Sequence, residues 1–375
     1  MTATVEIPLP NTTIPEVTPA RRHWTTSRTL DEFDALEAAW TTCPAAASNP
    51  MRSFSWLRSA IASLAQERKI QVIALCDGAR LLAAAPLIRA QAGRWELLNH
   101  YKLYEPADLV YADAAALAEL TGELARRGLP LFLGRLPADS PTVAAIQRAY
   151  GRRGRVVVRP QAGFPYIPLD AAWSAPEGRL SSRRRGDFRR ARRHAEEQGE
   201  VAGEIVAPSS RDVDELLDVV FEIEGLSWKG AQGTALARDA ARAAFYRRFA
   251  RRAARDGSLR LGFLRIGGNV AAVQISVVQA DALWVLKIGY DPRFHRASPG
   301  ILLMVEQIKD AVAAGLSRYE LLGTVEPWIQ VWTEHQRACV SLRAYPANLR
   351  GAATLAREAA AMGYRRLLGR AACER

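Results

Sequence analysis

The stretch that decides the fold is Ala282–Gly315, ALWVLKIGYDPRFHRASPGILLMVEQIKDAVAAG, which predicts a strand, a short loop and a helix. Residues 282–290 are apolar or aromatic apart from one lysine, as in a strand of a covered sheet. Ser298-Pro299-Gly300 predicts the start of the helix, because Ser is a favoured N-cap and Pro suits the first helical position. Because free N–H groups at a helix start can bind phosphate, we expect a phosphate-bearing ligand at this loop.

The length of the chain, 375 residues, exceeds the size at which a single core usually keeps growing, so two domains are expected. Hydrophobic residues make up 49% and charged residues 24%, an ordinary globular composition. The chain contains no run of eighteen apolar residues, so we expect no membrane-spanning helix. Residues 1–20 are rich in Pro and Thr and have no features of a secretory signal, so we expect a disordered tail and a cytoplasmic protein.

The cysteines and histidines do not predict a metal site. Cys43, Cys76, Cys339 and Cys373 are far apart and match no zinc spacing, and the five histidines are scattered. We therefore expect reduced structural thiols and no bound metal.

The positive charge is concentrated in the second half of the chain. Residues 1–175 carry 19 Lys and Arg against 16 Asp and Glu, whereas residues 176–375 carry 32 against 23. Residues 179–193 alone contain eight arginines, which indicates a polyanionic ligand such as a nucleotide or tRNA. The alternative is a solvated helix face in a chain whose GC-rich coding bias raises Arg everywhere.

The order of predicted elements suggests two copies of one α/β unit. A strand pair joined at Asp77-Gly78, further strands and two helices precede a junction at residues 171–178. The second half reads as helix, strand and two helices, then three antiparallel strands, the first two joined at Gly267-Gly268, and finally the helix that begins at Ser298. The predicted fold class is α/β (α+β): tandem modules at 21–172 and 173–375, each a mixed, mostly antiparallel sheet flanked by helices.

Four motifs in the second half of the chain resemble those of a known family. They are RRRGDFRR at 183–190, SWKG at 227–230 followed by Gly233-Thr234, KIGYD at 287–291 and SPGILL at 298–303. Residues 170–335 resemble the GNAT-type acyltransferases called CelD-like, cellulose-biosynthesis proteins that are related to the Fem aminoacyltransferases. The first half is similar in layout to the degenerate first copy of such double-GNAT proteins.

The resemblance implies transfer of an acyl group to an amine, with acetyl-CoA or another acyl-CoA as co-substrate and no metal. The amine acceptor would be an amino sugar, a lipid or a small metabolite, with a link to polysaccharide or envelope synthesis. Two alternatives remain open: a Fem-like transferase that uses aminoacyl-tRNA, and a non-catalytic scaffold in a polysaccharide synthesis complex.

On this interpretation, the loop and helix start form the donor side of the site. The backbone N–H groups bind the phosphates of the donor, and two arginines reach them as well. The predicted donor-binding residues are Arg293, Arg296, Ser298, Pro299, Gly300 and Ile301. An ordinary capped helix is the alternative.

Three residues are predicted to act in catalysis. Lys287 interrupts an apolar strand, and a lysine there is costly unless it is paired or functional. Tyr290 protonates the leaving thiolate, as a tyrosine does in many GNAT enzymes. Glu326, or alternatively Glu320, relays the proton of the acceptor ammonium. Lys287 and Tyr290 are expected to work together on the donor wall; the alternatives are a solvated lysine, a packing tyrosine and solvated carboxylates.

The acceptor side is predicted from a loop and its surroundings. Trp228 offers a face for stacking, Lys229 a charge for an anion, and Glu224 a further carboxylate. Trp328 completes the set, at a point where the chain departs from the family pattern. Trp328-Ile329 stands where the family commonly has Tyr-Lys, so we expect a different acceptor.

Overall fold

The structure, a computed structural model, describes residues 22–90, 93–227 and 239–373. The predicted tail and the acceptor-side residues Trp228 and Lys229 therefore lie outside the described residues.

In the described residues, one mixed sheet runs through both halves of the chain. Its strands are β1 Arg22–Ser27, β2 Ile70–Asp77, β3 Arg80–Arg89, β4 Trp95–Leu97, β5 Val110–Tyr111, β6 Leu131–Pro137, β7 Gly154–Pro168, β8 Val201–Val206, β9 Leu259–Ile266, β10 Asn269–Gln279, β11 Ala282–Tyr290, β12 Arg318–Glu320 and β13 Gln336–Pro346. The spatial order is β1-β2-β3-β4-β6-β13-β7-β12-β11-β10-β9-β8, with β5 beside β3. The pairs β4–β6 and β11–β12 are parallel, and the other pairs are antiparallel.

Helices flank this sheet, which confirms the predicted fold class. They are α1 Leu30–Asp34, α2 Glu37–Thr41, α3 Pro44–Ala47, α4 Phe54–Leu64, α5 Ala114–Arg126, α6 Pro141–Gly151, α7 Ser182–Glu196, α8 Val213–Leu226, α9 Ala240–Arg255, α10 Pro299–Ala313 and α11 Leu349–Cys373. Among the helices that the structure describes, none combines the length and apolarity that a bilayer crossing requires.

The two faces of the second half carry different helices. On one face α8 and α9 pack against the sheet, and α9 meets α4 of the first half, where the Trp56 ring lies edge-on to Phe245 at 4.8 Å and to Phe249 at 5.0 Å. On the other face α10 and α7 share a core with the alternate residues of β11, such as Leu283 and Val285. This division follows from the alternation of side chains along a strand.

Strand β13 connects the two halves. It comes from the second half of the sequence but lies between β6 and β7 of the first half. Residues 154–165 of β7 pair with β13, and residues 166–168 pair with β12. The predicted module boundary at residues 172/173 therefore falls just after a strand that both halves share.

Some predicted elements have different bounds in the structure. The helix expected at residues 30–40 is broken at Ala35-Leu36, and Phe33 and Trp40 are both fully buried in edge contact at 5.3 Å. The two strands expected at residues 155–159 and 164–169 are one strand, β7, because β13 pairs with residues 154–165 and accommodates the interruption as a register shift.

Candidate functional site

The candidate site lies where two parallel strands part. β11 and β12 pair only through residues 282–284 and 318–320. Beyond that point β11 has a bulge at Leu286 and continues to Tyr290. The segment after β12 instead turns away at Leu322, whose φ is 56°. The strands separate, and a cavity of about 340 Å³ opens between them and the start of α10.

The cavity brings together many of the residues that the sequence pointed to. Seven predicted site residues line it: Tyr290, Ser298, Pro299, Gly300, Ile301, Glu326 and Trp328. These residues come from the end of β11, the start of α10 and the loop after β12. The predicted donor loop and one predicted carboxylate are thus neighbours in space.

The start of α10 is open to the cavity. Ser298 occupies the N-cap position as predicted, but its backbone is left-handed (φ 45°, ψ 53°) and its side chain makes no capping hydrogen bond. The predicted N-cap position is confirmed, but the hydroxyl does not cap the helix. A non-glycine residue in this region is uncommon and often marks a functional site. A β-carbon added at Gly300 would have no atom within 4 Å, so the backbone there is accessible.

The two predicted phosphate-binding arginines do not line the cavity. Arg293 donates from Nε to the buried Asp291 carboxylate at 2.7 Å, and its N–H also bonds to that carboxylate. Burial would raise the pKa of Asp291, but these hydrogen bonds lower it below its usual value. Arg296 is exposed on the same 3₁₀ helix, Pro292–Ala297. Their phosphate contacts stay predictions.

His295, which the sequence analysis did not select, lines the cavity. Its Nδ1 lies 3.1 Å from the carbonyl oxygen of Pro292. Because a carbonyl only accepts, this contact assigns the proton of the neutral ring to Nδ1 and leaves Nε2 as an acceptor. Its position three residues before the predicted N-cap was the only signal in the sequence.

Gln274 is a second cavity residue that the sequence did not indicate. Its side chain is buried and exchanges hydrogen bonds with the Tyr319 hydroxyl at 2.9 and 3.1 Å. Burial raises the pKa of Tyr319, so the phenol remains neutral. The pair fixes a polar floor between β10 and β12.

Two candidate proton-transfer groups face the same cavity. Glu326 Oε2 accepts a hydrogen bond of 2.7 Å from the Trp328 indole, which orients the carboxylate. Tyr290 lies across from it at the end of β11. Glu320, the alternative base, is instead buried in an ion pair with Arg337 at 2.8 Å. That contact makes it part of the sheet's internal charge network.

Lys287 lies on the opposite face of β11 from Tyr290, because side chains alternate along a strand. It is not one of the cavity residues, contrary to the expectation that both belong to one wall. Its Nζ is 4.0 Å from Glu105 Oε1 of the first half and 5.0 Å from the centre of the Tyr246 ring. Burial would lower the pKa of Lys287, but Tyr246 and Glu105 raise it, so the lysine is charged.

Removing one charge of the Lys287–Glu105 pair should destabilise the fold. We expect Lys287→Met and Glu105→Gln each to lower the free energy of unfolding by about 2 kcal/mol, because each removes one ion-pair partner of a buried charge. The double variant should lose less than the sum of the two. Urea unfolding of all four proteins measures this coupling, and strictly additive losses would contradict it.

Glu224 is buried at the end of α8, behind the cavity wall. A β-carbon at Gly289 would lie 2.6 Å from its Cα, so only glycine lets α8 approach β11 this closely. Gly289 itself lines the cavity. Glu224 is therefore separated from the cavity by the backbone of β11.

Comparison with known proteins identifies the domain around this cavity. Residues 182–329 match the family model described as an acetyltransferase (GNAT) domain. This match supports the expectation that the protein is a transferase. The matched segment runs from α7 to the loop that carries Glu326 and Trp328, and so includes the residues that line the cavity. The comparison with curated proteins found no match.

Solved structures share the fold of nearly the whole chain. The C-terminal domain (DUF2156) of a putative lysylphosphatidylglycerol synthetase from Agrobacterium fabrum has a TM-score of 0.54 at 11% identity, covering 88% of this chain and 96% of that one. L-PGS from Bacillus licheniformis has 0.53 at 10% identity, covering 86% and 95%. FemX has 0.51 at 11% identity, covering 85% and 96%. At these identities the likeness concerns the fold alone.

Within the described residues, no group of three or more His, Cys, Asp or Glu side chains is placed to hold a metal ion.

Proposed function

We propose that the protein transfers an acyl group from an acyl-CoA to an amine acceptor. The observation that carries this proposal is the cavity between the parted strands. One of its walls is the start of α10, which has no side-chain cap. Backbone N–H groups and the positive end of the helix dipole favour an anion there, as the diphosphate of CoA requires. The domain match at residues 182–329 supports the same chemistry.

The size of the cavity indicates which part of the acyl-CoA lies inside it and which part lies outside. About 340 Å³ accommodates the acyl group and its thiol-bearing arm but not a whole CoA molecule. The nucleotide end would then lie outside, beside the exposed Arg296. Gln274 and Tyr319 would bound the acyl end and limit its length.

The reaction needs a proton to leave nitrogen and a proton to reach sulfur. The amine nitrogen bonds to the thioester carbon, and the carbon–sulfur bond breaks. Glu326, held by Trp328, would accept the proton of the nitrogen through water, and Tyr290 would donate its hydroxyl proton to the thiolate.

The acceptor would approach from the face of β11 that carries Lys287 and reach the cavity, where Glu326 lies, through the gap between the parted strands. Glu105 and Lys287 are charged groups of opposite sign at the junction of the two halves, suited to an amine that also bears an anionic group. An acceptor in polysaccharide or envelope synthesis remains the expectation from the CelD-like resemblance.

Tyr290→Phe should separate chemistry from binding. Without the phenolic proton the thiolate leaves unprotonated, so we expect kcat to fall by about a hundredfold. The Kd for acetyl-CoA should not change, because the ring still fills its place. Thiol release and calorimetry measure the two quantities. An unchanged kcat would remove Tyr290 from the mechanism.

A second candidate is an aminoacyl-tRNA donor. The arginine-rich α7 packs against the 3₁₀ helix Pro292–Ala297 at the cavity rim, which would present positive charge to RNA. Several of these arginines have partners on their own helix, however: Arg190 pairs with Asp187, Arg192 with Glu196 and Arg193 with Glu197. This internal neutralisation favours acyl-CoA.

Thermal-shift and binding experiments with acetyl-CoA, longer acyl-CoAs and aminoacyl-tRNA distinguish the two donors. We expect stabilisation by acyl-CoA that varies with chain length. Binding of aminoacyl-tRNA that weakens steeply with salt, without an effect of acyl-CoA, would replace the first candidate with the second.

A further inference from the structure

A second cavity lies far from the donor site, between the β3–β4 edge of the first half and the first turns of α11. Its volume is about 620 Å³, within the range of small-molecule sites. β4 is separated from β11 by the strands β6, β13, β7 and β12, a distance of roughly 24 Å. The cavity is therefore distinct from the acyl-transfer site.

The charge of this cavity has one sign. The residues that line it include Arg89, Arg127, Arg350 and Arg357, and they include no aspartate or glutamate. By contrast, the donor cavity is lined by a glutamate and no arginine. An arginine-rich lining of this kind raises the local concentration of anions.

Two of the guanidinium groups converge on one point. A β-carbon built on Gly93 would lie 3.4 Å from Arg357 Nη1 and 3.8 Å from Arg89 Nη2, with the Thr354 hydroxyl oxygen 3.9 Å away. The two nitrogens are therefore within about 7 Å of each other, less than the screening length at physiological salt. Like charges at this distance repel each other unless an anion lies between them.

The carboxylate next to Arg357 in sequence is already paired elsewhere, and Glu123 pairs with Arg127 of the cavity lining. Glu358, next to Arg357 in sequence, is buried and bonds to Arg94, Arg343 and the Tyr345 hydroxyl. In the part of the chain that the structure describes, no salt bridge involves Arg89, Arg350 or Arg357. Three arginines thus face this cavity without a carboxylate partner.

The walls also offer a surface for an uncharged part of a ligand. Trp95 lines the cavity and is half-buried, and Leu129 and Pro130 are buried beside it. The first turn of α11, capped by Asn348 through the Gly351 N–H, adds the positive end of a helix dipole.

We propose that this cavity binds a small phosphorylated molecule. The phosphate or diphosphate lies between Arg89 and Arg357, within reach of Arg350, and the remainder of the molecule rests against Trp95. Guanidinium groups suit phosphate because they donate paired N–H bonds in one plane.

The test uses inorganic pyrophosphate as the probe in calorimetry at low ionic strength. Arg89→Gln and Arg357→Gln should each raise the Kd by about tenfold or more, since each removes charge-assisted hydrogen bonds. The matched control is Arg80→Gln, at the opposite end of the same strand β3, where the arginine is also exposed. It should bind pyrophosphate like the wild type.

Two results would overturn the proposal. One is that the wild type produces no binding heat with millimolar pyrophosphate. The other is that Arg80→Gln weakens binding as much as Arg89→Gln, which indicates attraction by net charge alone. Thermal melts of the variants check that the exposed substitutions leave the fold intact, and acetyl-CoA binding by Arg89→Gln should equal that of the wild type.

Discussion

Gly300→Asp should weaken the binding of acetyl-CoA by about a hundredfold, because it places a carboxylate at the proposed diphosphate site. Two like charges roughly 4 Å apart near a protein surface repel each other by a few kcal/mol, which corresponds to this change in Kd. The site is open: an added β-carbon at this position meets no atom within 4 Å. The side chain therefore enters without displacing its neighbours, and the loss of affinity reports charge. Calorimetric titration with acetyl-CoA measures it.

The matched control for this charge is Gly300→Asn, which has nearly the same shape. We expect it to bind acetyl-CoA within a few-fold of the wild type. The thermal midpoint of Gly300→Asp should not fall relative to Gly300→Asn, because an aspartate in the first turn of a helix interacts favourably with its dipole. Equal acetyl-CoA affinities for the two variants would show that the donor phosphates lie elsewhere.

Arg135→Met should lower the free energy of unfolding by about 4 kcal/mol, the largest stability effect that we expect in this chain. The buried guanidinium donates to four carbonyl oxygens, those of Tyr104 at 2.8 Å, Leu322 at 2.9 Å, and Gly163 and Gly323 at 3.2 Å. Methionine fills the space but cannot donate to these carbonyl oxygens, of which that of Leu322 is buried. Urea unfolding monitored by tryptophan fluorescence measures the loss.

Arg135→Lys tests whether charge or geometry matters. One ammonium group with three protons cannot reach the four carbonyls that the planar guanidinium reaches, so we expect an intermediate loss of stability. Arg135 also connects the segment before Glu105 to the turn before Glu326, since its partners include the Tyr104 and Gly323 carbonyls. If Arg135→Lys is as stable as the wild type, the hydrogen-bond geometry is not what stabilises this junction.

Local patterns in the sequence predicted the donor wall well. The helix after Ser298, the hairpin at Gly267-Gly268 and the strand over residues 282–290 are confirmed, because periodicity and turn residues act over short distances. The structure then placed Tyr290 and Glu326 on one cavity. Their roles in catalysis stay predictions.

What the sequence could not provide depends on distant contacts. Lys287 stood out as a lysine in an apolar strand, but its partner Glu105 is 182 residues earlier in the chain, and no local pattern connects them. The alternation of side chains already implied that residues 287 and 290 face opposite sides. The eight arginines at 179–193 indicated a polyanion site, whereas several of them are neutralised by neighbours on their own helix.

The placement of β13 determines when the chain can fold during its synthesis. β6 and β7 are complete by residue 168, yet the strand that lies between them ends at Pro346, so the ribosome must add a further 178 residues before this gap can close. Until then the first half exposes two open strand edges, which are templates for wrong pairing. Its sheet is completed only as the last helix emerges, and the two halves reach their native state together.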